Sequence, residues 1–194
     1  ALMERVTRVT VADTASGSGG FLIKVLRAVW RHYRRIGEAS AWVNNWKGGD
    51  LLDTPPNVQQ ARAFREKFHF DNPRVLIAQI LLRHIYAVDK DAGALEVAKT
   101  NLWKEAVRLS ARDYNFRCLT GEINRTLPSL RLNFVCGDSL VDTDPAEQSR
   151  YLAEVCGAAM QKLCALREQY LANPSAHAPL DEALKLQAKL RENL

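Results

Sequence analysis

Three acidic residues stand where three short apolar runs stop. Asp13 follows Arg5–Ala12, Asp89 follows His84–Val88, and Asp138 follows Leu130–Cys136 by one glycine. Between Asp13 and the next helical pattern lies Thr14-Ala-Ser-Gly-Ser-Gly-Gly20. Carboxylates accept hydrogen bonds from hydroxyl and amino donors. Glycines let backbone approach a ligand closely, and a Cβ at Gly17 or Gly19 is expected to fill that space. In an open parallel sheet, ligands bind beyond the carboxyl ends of the strands. Three acids at three strand ends therefore predict one shared crevice. The helix expected from about Gly19 also offers free N–H groups suited to a carboxylate.

Spacing narrows the ligand. A dinucleotide site places its ribose-binding acid about 20 residues beyond the glycine loop and requires G-x-G-x-x-G. Asp89 lies much further on, and position 22 is Leu, so NAD is disfavoured. No Gly-Lys-Ser/Thr follows the glycines, which excludes a P-loop.

The elements that must position these residues are readable in outline. Arg5–Ala12 alternates as a strand does. Phe21, Leu22, Val25, Leu26, Val29, Trp30, Tyr33 and Ile36 fall at helical spacing. Strand, glycine loop and helix open a nucleotide-binding α/β unit. Residues 37–57 carry the breakers Gly48, Gly49, Pro55 and Pro56, and a short helix is expected over 58–69. Asp71 with Pro73 marks a helix start before the apolar run 75–82. His84–Val88 reads as the second strand, 91–112 as a helix that Asp91 caps, and Leu130–Cys136 as the third strand. Residues 146–172 and 179–194, separated by Asn173-Pro-Ser175, read as a helical hairpin.

Bulk properties exclude more than they assign. The 194 residues carry 47% hydrophobic and 25% charged residues, ordinary for a globular domain. No apolar run approaches a membrane span, and no signal peptide precedes the first strand. Cys118, Cys136, Cys156 and Cys164 include no C-x-x-C pair and are read as buried, reduced thiols of a cytoplasmic protein. His32, His69, His84 and His177 are scattered, so neither zinc nor a histidine-based triad is indicated. Trp30, Trp42, Trp46 and Trp103 are read as packing residues. Arg31, Arg34 and Arg35 fall on the outer face of the first helix, where solvation is the default reading and phosphate contact the alternative. The formal charge of +5 fits a nucleic-acid partner without establishing one.

Three segments carry a resemblance. Asp13-Thr-Ala-Ser-Gly-Ser-Gly-Gly-Phe-Leu22 resembles the D-P-A-C-G-S-G-x-F-L signature of adenine-specific DNA methyltransferases. His84-Ile-Tyr-Ala-Val-Asp-Lys-Asp91 with Ala94–Trp103 looks like their second motif, and Leu127–Leu140 is similar to their third. The nearest kinds are restriction–modification methylases of the type I modification-subunit and type IIG sorts. The resemblance is dense over 9–26 and 84–140, and thin over 37–70 and 141–194. It implies a Rossmann-like class I methyltransferase sheet, present as a fragment with helical insertions. Residues 1–145 would form the S-adenosylmethionine-binding α/β part and 146–194 a helical hairpin insertion. Asp13 and the loop Ala15, Ser16, Gly17, Ser18 and Gly19 would hold the methionine moiety. Asp89 would accept from the ribose hydroxyls, Lys90 would flank the adenine ring, and Asp138 would accept from the adenine amino group with Ser139 and Leu140 beside it.

The same resemblance shows departures. Thr14 and Ala92 stand where prolines are usual, and Ser16 where cysteine is usual. These enzymes flip the target base and hold its amine with an (N/D)-P-P-(Y/F) motif after a fourth strand. No such tetrapeptide follows Leu140, and Thr54-Pro-Pro-Asn57 lies too early and lacks the aromatic. Both ends read as cuts through a larger protein, so no catalytic residue is assigned and the piece alone is expected to transfer no methyl group. Double-stranded DNA would be met through the full-length protein, with a specificity or nuclease subunit or fused domain as a further partner. Alternatives are a methyltransferase for RNA, protein or a small molecule, and a non-catalytic scaffold relative.

Overall fold

The structure, a computed structural model, describes residues 7–46, 56–110, 127–140, 144–154, 156–174 and 176–192. It is a mixed α/β arrangement: a small, wholly parallel sheet of order β1-β2-β3 and a larger number of helices. The strands are β1 (Val11–Asp13), β2 (Ile85–Asp89) and β3 (Phe134–Cys136). Asp13 is in register with Ala87, and Asp89 with Cys136. The strands are shorter than expected. Thr7 and Arg8 are helical rather than extended, and Leu130–Asn133 forms a turn before β3. Arg5 and Val6 lie outside the described residues.

The helices are α1 (Gly20–Ser40), α2 (Pro56–Phe68), α3 (Pro73–His84), α4 (Ala92–Leu109), α5 (Pro145–Glu154), α6 (Gly157–Ala172) and α7 (His177–Glu192). Helix α1 buries Leu22, Leu26, Trp30 and Tyr33, a single stripe at helical spacing. Helix α3 differs: residues Leu76 to Leu82 are all buried, as befits a helix apolar on every side. Its N-cap is Asn72, whose Oδ1 accepts from the Val75 amide at 3.3 Å, and not Asp71. Asp71 instead pairs with Arg65 at 2.7 Å. Asp91 caps α4 by accepting from the Gly93 amide at 2.8 Å, as its position predicts. The stretch 146–172 is two helices rather than one, interrupted before α6 at Cys156.

Helix α3 passes into β2 with no connecting residue, since His84 ends one and Ile85 opens the other. The carbonyls of that last turn must find other donors. Asn133 Nδ2 donates to Leu82 O at 2.9 Å and Ile85 O at 2.8 Å, and Arg167 of α6 donates to Leu82 O at 2.8 Å. Alternation along β2 buries Ile85 and Ala87 and leaves Tyr86 on the other side, where the Arg167 guanidinium lies over its ring at 4.8 Å. Tyr170, Leu171 and Leu180, from α6 and α7, belong to the same buried cluster as the sheet and α1.

Of the cysteines, Cys156 is buried, but Cys136 and Cys164 are exposed free thiols, which corrects their reading as buried; Cys118 lies outside the described residues. Trp30 is buried and Trp103 donates to Pro128 O at 3.1 Å, whereas Trp42 and Trp46 are exposed and meet edge to face. Among the described residues, no helix is long and apolar enough to cross a membrane, and no group of His, Cys, Asp and Glu could hold a metal ion.

Candidate functional site

Because all three strands run parallel, Asp13, Asp89 and Asp138 stand at one edge of the sheet, β1 and β2 ending on the first two. Their loops are tied to one another. The Gly17 amide donates to Asp89 Oδ2 at 2.8 Å, and the Ser16 amide to Val88 O at 3.2 Å. The Gly137 amide reaches Asp89 O at 3.0 Å. Ser139 Oγ, beyond β3, donates to Thr14 O, beyond β1, at 2.8 Å. The outer loops therefore meet over the end of the central strand. Asn101 of α4 fastens the glycine loop from the side, donating Nδ2 to Ser18 O at 3.0 Å. Asn101 lies inside the second motif-like segment, but nothing in its type marked it as a loop anchor.

Each acid has a distinct environment. Asp89 accepts the Asp91 amide on Oδ1 at 2.9 Å as well as Gly17 on Oδ2. These amides, Asp91 foremost and then Gly17, hold its carboxyl below the usual carboxylate range, with Lys90 contributing less. Asp89 is thus an anion and a pure acceptor at neutral pH. Two of its roughly four acceptor positions serve the loop, and capacity remains for ligand donors. Asp13 accepts from Ala15 at 3.3 Å, and Asp138 from Leu140 at 3.0 Å. Asp138, Ser139 and Lys90 are exposed, while Asp13 and Asp89 are half-buried. Exposed Phe21 and Leu140 stand beside the same loops.

The two loop glycines sit in different surroundings. Gly17 has φ 48°, yet a Cβ there would meet nothing within 4 Å. Gly19 has φ 81°, and its Cβ would lie 3.0 Å from Ala98 Cβ and 3.2 Å from Ala98 Cα. At Gly19 the missing Cβ makes room for helix α4. Ser16 is buried, and its Oγ finds no hydrogen-bond partner among the described residues. A thiol tolerates such a place better than a hydroxyl, so the Ser leaves a donor that a ligand atom against this loop would satisfy.

Over 152 aligned residues, covering 70% of this chain, the sequence is 26% identical to a protein of Methanocaldococcus jannaschii named "Putative type II restriction enzyme and methyltransferase". The chain is similar to a restriction–modification methyltransferase. It spans 11% of that relative's length. No protein-family model matches the chain, and no solved structure matches it.

S-adenosylmethionine, the cofactor implied by methyl transfer, can be set against the residues present. Its ribose hydroxyls and adenine amino group are donors, and Asp89 and Asp138 are acceptors with capacity to spare. Its methionine end carries an ammonium, for which Asp13 supplies opposite charge, and a carboxylate. The start of α1 has no side-chain cap, so it keeps N–H groups for an anion. The donor set fits the group.

Proposed function

We propose that this chain is the S-adenosylmethionine-binding part of a DNA adenine-N6 methyltransferase from a restriction–modification or phage-defence protein. The observation that carries the reading is the set of three acids at one edge of a parallel sheet, with the glycine loop hydrogen-bonded to the central acid. The similarity to a restriction–modification methyltransferase supports it. When bound, the cofactor supplies an activated methyl group. The residues of this chain bind and orient it. Asp13 and the loop Ala15, Ser16, Gly17, Ser18 and Gly19 hold the methionine end. Asp89 accepts from the ribose hydroxyls, Lys90 lies along the adenine ring, and Asp138 with Ser139 takes the adenine amino group. None of them accepts a proton from a target base, and methyl transfer to duplex DNA belongs to the larger protein, where a specificity or nuclease part is a further partner.

Titration calorimetry of S-adenosylmethionine into the chain tests this, with Asp89→Ala and Asp138→Ala alongside. Each variant removes a charged acceptor, so each is expected to weaken a saturable binding by about tenfold or more. Binding that both variants keep, or no binding by the folded wild-type chain, would overturn the assignment of these residues.

A further inference from the structure

Helix α1 has a second face that the cofactor site does not use. Lys24, Arg27, Arg31, Arg34 and Arg35 lie at intervals of three, seven, ten and eleven residues from Lys24, opposite the buried stripe of Leu22, Leu26, Trp30 and Tyr33. All five are exposed. The acids that meet them are already engaged. Glu105 of α4 accepts both Arg27, at 2.8 Å, and Arg108, and Glu38 pairs with Arg34 at 3.5 Å. Lys24, Arg31 and Arg35 form no ion pair with the described residues. Among the described residues, six cations thus face two carboxylates, an excess of four charges in a chain whose formal net is +5. From Lys24 to Arg35 the stripe extends about 16 Å along the helix axis, and it runs away from the strand-end crevice.

From this charge pattern we infer that the outer face of α1, continued by Arg108, tracks the phosphate backbone of duplex DNA away from the site of chemistry. A duplex carries about one negative charge per 1.7 Å of axis, so a linear stripe of guanidinium groups matches it by charge and shape without reading sequence. That the polyanion is duplex DNA rests on the methyltransferase reading. The stripe itself stands independently of the cofactor.

The test is fluorescence anisotropy of a labelled duplex of arbitrary sequence, measured from about 50 to 200 mM salt. The variant Lys24→Gln/Arg31→Gln/Arg35→Gln removes three cations that form no ion pair among the described residues, so circular dichroism and melting are expected to be unchanged. A control, Arg150→Gln/Lys185→Gln/Lys189→Gln, removes the same charge from exposed positions of α5 and α7. The stripe variant is expected to lower the log–log salt slope by about 2–3, near 0.9 per lost phosphate contact, and to weaken binding about tenfold or more at 100 mM salt. The control is expected to stay within about twofold. Equal losses in both variants, no binding by the wild-type chain at low salt, or tighter binding to phosphatidylserine-containing vesicles than to DNA would each overturn the inference. S-adenosylmethionine titration of the stripe variant is expected to match the wild type, which separates failure here from failure of the cofactor reading.

Discussion

Gly17 and Gly19 sit two residues apart in one loop, both at positive φ, yet they answer to different constraints. At Gly17 a side chain would meet open space, so Gly17→Ala costs only the left-handed backbone, about 1 kcal/mol. At Gly19 the same strain adds to a clash with the backbone and side chain of Ala98, and Gly19→Ala is expected to cost about 2–4 kcal/mol. Denaturant unfolding of the two variants checks the difference, and equal costs would contradict it. A glycine loop is legible in the sequence, but which glycine faces a helix is not, because Ala98 is distant in sequence. The acids were legible for the opposite reason: a strand end and a helix start are marked locally, and Asp13 and Asp89 end their strands while Asp91 caps the helix that follows. Glu105 was not legible as anything but a helix residue. Its side chain is 8% exposed, and Arg108 and then Arg27 draw its carboxyl down from 4.5 to about 2. A depressed carboxyl contributes stability that is present above its ordinary range and lost as pH falls through its folded value. With both arginines exposed, Glu105→Gln is expected to cost on the order of 1–2 kcal/mol at neutral pH. The difference from the wild type should shrink as pH drops from 4.5 towards 2, which melting curves across that range would show.

At the scale of elements, the join of α3 to β2 carries the most weight, because β2 is the central strand and bears Asp89. A helix that ends inside the protein leaves buried carbonyls, and Asn133 and Arg167 supply the donors. Asn133→Ala would remove the side-chain donor to Ile85 O and leave Leu82 O to Arg167 alone, and is expected to cost about 1–3 kcal/mol. Hydrogen exchange should then be faster at the amides of β2 than at those of α2, and unchanged exchange at β2 would contradict this. The apolar run 75–82 and the strand beside it are legible in the sequence, since both follow local periodicity. The start of the third strand is not legible, because apolar content there reflects burial of Leu130 before a turn rather than extended backbone. The break within 146–172 is not legible either, since residues of high helix propensity flank Cys156 on both sides.

Across the whole molecule, the sheet places chemistry at one edge while α1 carries positive charge away from it, so cofactor and polyanion would meet different parts of one helix. Tyr170 of α6 ties the C-terminal helices to the segment before β3: its hydroxyl accepts from the Ser129 amide at 2.7 Å. That link spans distant parts of the chain and had no local signature, whereas the helical character of 157–172 did. The crevice itself is most directly tested by amide chemical shifts of the isotope-labelled chain as S-adenosylmethionine is added. The amides of Ala15, Gly17, Asp91 and Leu140 each donate to one of the three carboxylates, so they report on Asp13, Asp89 and Asp138 directly. Saturable shifts at all four, with α2 undisturbed, are the predicted result. Shifts confined to other surfaces, or none at saturating cofactor, would contradict a cofactor site at the three strand ends.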